Sequence, residues 1–101
     1  MTADVYRFEM DKTVPLLEAE QSLHLALIAV QGLFGQARVR MDAAYHVNES
    51  RRVIVVDGTT EIGLALVRVF TEFLLREFGG EAFEVRRVHQ DASKRAKGKA
   101  A

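Results

Sequence analysis

An α+β fold, one antiparallel sheet under a layer of helices, follows from three observations. The stretch Thr59–Phe78 (TTEIGLALVRVFTEFLLREF) reads as a helix with Ile62, Leu66, Val69, Phe70 and Phe73 on one side. Val67, Leu74 and Phe78 widen that side to roughly half the circumference, so the helix needs another layer to cover it. Segments near both ends, Val5–Met10 and Ala82–Val88, alternate apolar with polar residues as half-buried strands do. Between them, Gln36–Val47 alternates again and is followed by the apolar run Arg51–Val56.

Taken in order, Val5–Met10 places Tyr6, Phe8 and Met10 on its inner face and Val5, Arg7 and Glu9 on its outer face. Asp11-Lys12-Thr13 ends the strand, Thr13 is placed to cap a helix, and Pro15 fits a first helical turn. That helix is expected from about Pro15 to Leu33, stopping near Gly35. Gln36–Val47 and Arg51–Val56, joined by Asn48-Glu49-Ser50, read as a β-hairpin. Val53–Val56 is apolar on both faces, which places this strand inside the sheet. A threonine after Asp57-Gly58 caps the second helix, and Gly79-Gly80 closes it. The last strand, Ala82–Val88, turns Phe83 and Val85 inward. The order β-α-β-β-α-β predicts a ferredoxin-like two-layer sandwich, with a four-stranded antiparallel sheet in the order 4-1-3-2 and both helices on one face.

Length and composition limit the function. The 101 residues, 49% of them apolar, suffice for one core, so we expect a single domain over residues 1–90 and a disordered basic tail over 91–101. The tail sets Lys94, Arg95, Lys97 and Lys99 against Asp91, a net charge of +3. With 14 basic and 14 acidic residues overall, the remainder carries −3. The absence of cysteine excludes disulfides, thiolate metal sites and thiol nucleophiles, and it fits a reducing cytoplasm. MTADVYRFEMDK holds no secretory signal. Leu23–Phe34, the longest apolar-rich run, is interrupted by His24, Gln31 and Gly32 and is too short to span a bilayer. The expectation is a cytoplasmic protein with no membrane partner.

Motifs for catalysis are sparse. His24, His46 and His89 have no second ligand at metal spacing, so no metal and no cofactor is expected. His46, on the same strand face as Asp42, is the one histidine placed for acid–base work. Ser22, Ser50 and Ser93 fall in a helix, a turn and the tail rather than at a nucleophile elbow. Asn48, the only asparagine, lies in a turn, away from the arginine that an acylphosphatase-type site needs. Gly58-Thr59-Thr60 at a helix start is explained by capping and matches no phosphate-binding motif.

Two surfaces remain. Each helix has a second apolar stripe beyond the reach of the sheet: Leu17, Leu25 and Ile28 with Gly32 on the first, Leu64 and Leu75 flanking Arg68 and Thr71 on the second. A continuous apolar patch needs a partner, and a second copy is the default. The open sheet face is expected to carry Arg38, Arg40 and Arg86, which with the tail lysines would form an anion or RNA surface. Its inward-pointing aromatics argue against stacked bases. In element order, with a helix ending in Leu33-Phe34-Gly35 and a basic final strand, the chain resembles a protein subunit of ribonuclease P, which implies RNA as a partner.

The sequence therefore predicts a small non-catalytic oligomerisation module, a homodimer in the first instance, with Leu17, Leu25, Ile28, Leu64 and Leu75 as contacts. The alternatives are an RNA- or anion-binding subunit using Arg38, Arg40 and Arg86, and a small enzyme whose pocket forms at the subunit interface around His46 and Asp42.

Overall fold

The computed structural model describes residues 2–91, so Lys94, Arg95, Lys97 and Lys99 lie outside the described residues. Seven elements follow one another: β1 (Thr2–Met10), α1 (Leu16–Phe34), α2 (Gln36–Asp42), β2 (Tyr45–Asn48), β3 (Val53–Asp57), α3 (Glu61–Phe78) and β4 (Phe83–Asp91). The strands form one four-stranded antiparallel sheet in the order β2-β3-β1-β4. The fold is α+β with three helices, where two were expected.

Alternation in β1 works as the pattern demands. Phe8 and Met10 are buried on one face of the sheet together with Ile54 and Val56 of β3, and α1 and α3 pack on that face. Phe8 meets Phe70 of α3 with ring centroids 4.7 Å apart and planes tilted by 56°, a geometry favoured by ring quadrupoles. From α1, Ala19, Leu23, Ala26 and Val30 enter the core; from α3, Ile62, Leu66, Val67, Phe70 and Leu74 do so. Both sets follow the three-and-four spacing of a helix that buries one stripe.

Local chemistry sets the element ends. Thr13 does not cap α1; its N–H and hydroxyl donate to Asp11 Oδ2 at 3.2 and 2.6 Å, turning the chain out of β1. Those two bonds, the hydroxyl's first, hold the exposed Asp11 carboxyl below its ordinary range. α1 begins after Pro15, which offers no side-chain cap. It ends at Gly35, whose φ of 89° is open to glycine and strained for other residues. α3 is better capped: the Thr60 hydroxyl accepts from the Gly63 N–H at 2.9 Å and donates to the Asp42 carbonyl at 3.0 Å. A Cβ on Gly63 would stand 2.1 Å from the Asp57 carbonyl oxygen, so only glycine lets α3 start this close to β3.

The largest departure from the sequence pattern lies between Gly35 and Ala44. Residues Gln36–Asp42 form a helix, and the strand expected over Gln36–Val47 is confined to Tyr45–Asn48. The segment is rich in good helix formers, Gln, Ala, Arg and Met, with Val39 its one β-branched residue. Gly35 restarts the ladder, with the Val39 N–H bonded to the Gly35 carbonyl and the Ala43 N–H to that of Val39. Val39 is still buried, now as the one inward contact of a short helix. Met41, which an alternating strand over Gln36–Val47 would put on the same face as Val39, is 83% exposed. Val85, also expected inward, lies on an edge strand and is exposed because the helices do not reach it.

The β2–β3 turn is anchored from outside. Arg52 holds a positive φ of 57°, and its guanidinium donates to the carbonyl oxygens of Asp11 and Val14. The side chain thereby ties the hairpin turn to the β1–α1 loop. Among the described residues, no helix is long and apolar enough to cross a membrane.

Candidate interaction surface

α1 carries Glu18 and Glu20 in its first turns, and from Gln21 to Phe34 it has no Asp, Glu, Lys or Arg. One side faces the core. The opposite side of a surface helix is normally charged, yet here it holds Leu17, Leu25 and Ile28, each 58–67% exposed. About 100° per residue places these three within one narrow arc, with Gly32 between them and open space where its Cβ would stand. Leu33 and Met41 add exposed apolar groups near the end of α1 and on α2. The sequence reading missed both: Leu33 falls beside the core residue Ala26 on the helical wheel rather than within the outer stripe, so its exposure at the end of α1 had no signal in the spacing.

α3 is different. Its solvent side carries Arg68, Glu72, Arg76 and Glu77, with Arg76 Nε 3.2 Å from Glu72 Oε1 one turn away. Leu75 is 44% exposed among these charges, and Leu64 is half-buried. Of the five leucine and isoleucine contacts expected, the structure brings Leu17, Leu25 and Ile28 together on α1. Leu64 and Leu75 lie on α3, where Arg68, Glu72 and Arg76 share the outer side with them.

The arginine surface is not assembled. Arg38 and Arg40, expected on the open sheet face, sit on α2 in the helix layer because residues 36–42 are helical. Arg38 lies over the Phe34 ring at 5.4 Å and 3.9 Å from Glu61. Arg86 is on β4, at the far edge of the sheet and on its other face, 3.6 Å from Glu84. Cross-strand pairing puts Arg7, His46, Val55 and Arg86 on one open face. Arg7 is matched there by Glu9 at 3.2 Å, so that face carries balanced charge rather than a basic field.

His46 and Asp42 are likewise separated, His46 in β2 and Asp42 at the end of α2, and no hydrogen bond or ion pair joins them among the described residues. The structure instead assembles a group that the sequence did not reveal. Asp4 takes Arg87 Nη2 on one carboxylate oxygen at 2.8 Å and His89 Nδ1 on the other at 2.7 Å. It sits where β1 and β4 run on beyond the end of β3. Arg87 and His89 are open to solvent and Asp4 is half-buried, and pairs this exposed contribute little, about 0–1 kcal/mol. The arrangement fixes the imidazole through Nδ1, and neither of the two shallow depressions on the surface borders it.

Two shallow depressions mark the surface. One, of about 430 Å³, is bordered by Glu9, Asp11, Glu81 and Glu84 with Met10 and Phe83; the other, of about 340 Å³, lies between the start of α1 and Arg52. Neither contains a histidine, serine or threonine that could serve as base or nucleophile. Among the described residues, no three His, Asp or Glu side chains converge as metal ligands. No family model matches the chain, and no curated protein matches it.

Proposed function

We propose that this protein works by association, as a non-catalytic oligomerisation module in which the outward stripe of α1 meets the same stripe of a second copy. The observation that carries this reading is the charge-free surface of α1 beyond Glu20, with Leu17, Leu25 and Ile28 open to solvent. Burying each of these side chains removes apolar area worth about 1.5–3 kcal/mol from water. A two-fold contact counts every residue twice. Gly32 lets a facing helix approach closely, which supports a helix-on-helix contact.

The order β2-β3-β1-β4, with helices between β1 and β2 and between β3 and β4, supports reading the fold as a ferredoxin-like sandwich into which α2 has been inserted. We place its work in the cytoplasm, in keeping with a sequence free of cysteine. An RNA- or anion-binding role loses its main support once Arg38 and Arg40 leave the sheet.

The test is native mass by light scattering behind a sizing column. The unaltered chain should run as a dimer or larger, insensitive to salt. Leu25→Asp with Ile28→Asp should reduce its mass while leaving the helical signal in circular dichroism intact. An unchanged mass would reject this stripe as the contact.

A further inference from the structure

β4 is a nine-residue strand with β1 on one side and, among the described residues, a free edge on the other. The other edge strand, β2, has four residues, the usual way of blunting an edge. The described part of β4 has no proline to blunt it, and Val85 and Val88 are exposed along it. We propose that this edge is a second self-association site, where β4 pairs antiparallel with β4 of another copy about a two-fold axis through Val85, giving a continuous sheet across both subunits.

The backbone restricts the possible registers. The Asp11 N–H bonds to the Ala82 carbonyl, and β1 pairs with β4 in a regular antiparallel ladder running on from that point. In such a ladder every second residue of a strand bonds to its neighbour. The even-numbered residues of β4 therefore bond to β1, and the N–H and C=O groups of Phe83, Val85 and Arg87 point to the free edge. The bonds from Met10 to Arg52 and from Gly58 to Asp4 agree, because they commit the even residues of β1 to the β3 side. A partner strand must set outward-pointing residues against outward-pointing residues. Registers that oppose an odd position to an even one are excluded.

Charge selects among the rest. A two-fold at Glu84, Arg86 or Arg87 sets like charges directly against each other. A two-fold at Val85 opposes Val85 to itself, Glu84 to Arg86, Phe83 to Arg87 and Ala82 to Val88. The segment Ala82–Val88, AFEVRRV, is thus complementary to its own reverse: acid meets base, apolar meets apolar, and the Phe83 ring meets a guanidinium. In the monomer, among the described residues, Glu84 and Arg86 pair only with each other along the strand, at 3.6 Å and both well exposed. Across the β1–β4 ladder Glu84 faces Glu9 and Arg86 faces Arg7, like against like. A second copy would bring Arg86 to the outer side of Glu84, and Glu84 to the outer side of Arg86.

This surface is independent of the α1 stripe, and the test separates the two. In the chain carrying Leu25→Asp and Ile28→Asp, mass against concentration reports β4 pairing alone; a dimer is expected, and a monomer up to the highest soluble concentration would overturn the proposal. Adding Glu84→Arg, or in a separate chain Arg86→Glu, should weaken that dimer by on the order of tenfold or more, since each places like charges at two symmetric positions. Each change relieves a like-charge pair with β1 but breaks the Arg86–Glu84 pair within β4, so an unchanged circular dichroism spectrum for each variant is the control that its fold is kept. Mixing the two variants in equal amounts restores opposite charges at both positions and should restore the dimer. Singles that dimerise normally, or a mixture that stays monomeric, would overturn the Val85 register. As a second readout, the Val85 and Arg87 amides should exchange more slowly in the dimer, and exchange independent of concentration would likewise overturn it.

Discussion

α1 and α3 have similar inward faces and different outward ones. Both bury an apolar stripe against β1 and β3, aliphatic on α1 and with Phe70 added on α3, and both end at a glycine with positive φ. On its outer side α3 alternates arginine with glutamate and holds one i,i+4 ion pair, as a helix facing water does. α1 has no such charges after Glu20 and presents Leu17, Leu25 and Ile28 instead. Packing alone accounts for α3. It leaves the outer side of α1 without a covering layer, and that difference is what points to association.

The comparison can be pressed from both sides. Inward, the two helices should be equally intolerant. Phe70→Ala removes the ring packed on Phe8 and should cost about 3–5 kcal/mol, and Leu23→Ala about 2–5 kcal/mol, measured by urea unfolding. Outward, they should diverge: Leu25→Asp with Ile28→Asp lowers the native mass, whereas Leu75→Asp on α3 leaves it unchanged. Equal loss of mass from the α3 variant would erase the distinction. The helix starts differ more modestly. Thr60→Ala removes the cap of α3 and its bond to Asp42, for about 0.5–2 kcal/mol, while α1 has no side-chain cap to lose.

The smallest effect concerns the turn before α1. Asp11 has its carboxyl lowered by Thr13, so these bonds contribute stability above the unfolded carboxyl pKa, and the contribution is lost as pH falls through the lowered folded value. Thr13→Val should bring the Asp11 titration back toward the ordinary carboxylate range, followed by NMR. An unmoved titration would show that the hydroxyl is not its cause.

Much of this architecture was legible in the sequence. Period-two alternation identified Val5–Met10, and helical spacing identified the cores of α1 and α3, because long, strongly patterned segments leave few alternatives. Gln36–Asp42 misled because a seven-residue helix has too few turns to show its period, and Val39, its only inward residue, fits either pattern. That error displaced Arg38 and Arg40 from the sheet and Asp42 from His46, the placements on which two of the three functional readings were built. Leu17, Leu25 and Ile28 were found because helical spacing alone sets their common face. The Asp4 cluster could not be found that way: Asp4 and Arg87 are 83 residues apart, and only the register of β1 against β4 brings them together.

The position of β1 bears on how the chain folds. It is the first strand and has both β3 and β4 as neighbours, and its pairing with β4 runs from Thr2 opposite Asp91 to Met10 opposite Phe83. Joining them closes a loop that contains every helix and both other strands, the most entropically costly closure in the sheet. A β1–α1–α2–β2–β3–α3 unit can form first around Phe8, Ile54 and Phe70, with β4 added along the open flank of β1. High sequence separation of this kind slows folding. During that interval β1 is itself an exposed edge, so the rate at which β4 docks sets how long newly made chains are open to pairing with the wrong strand.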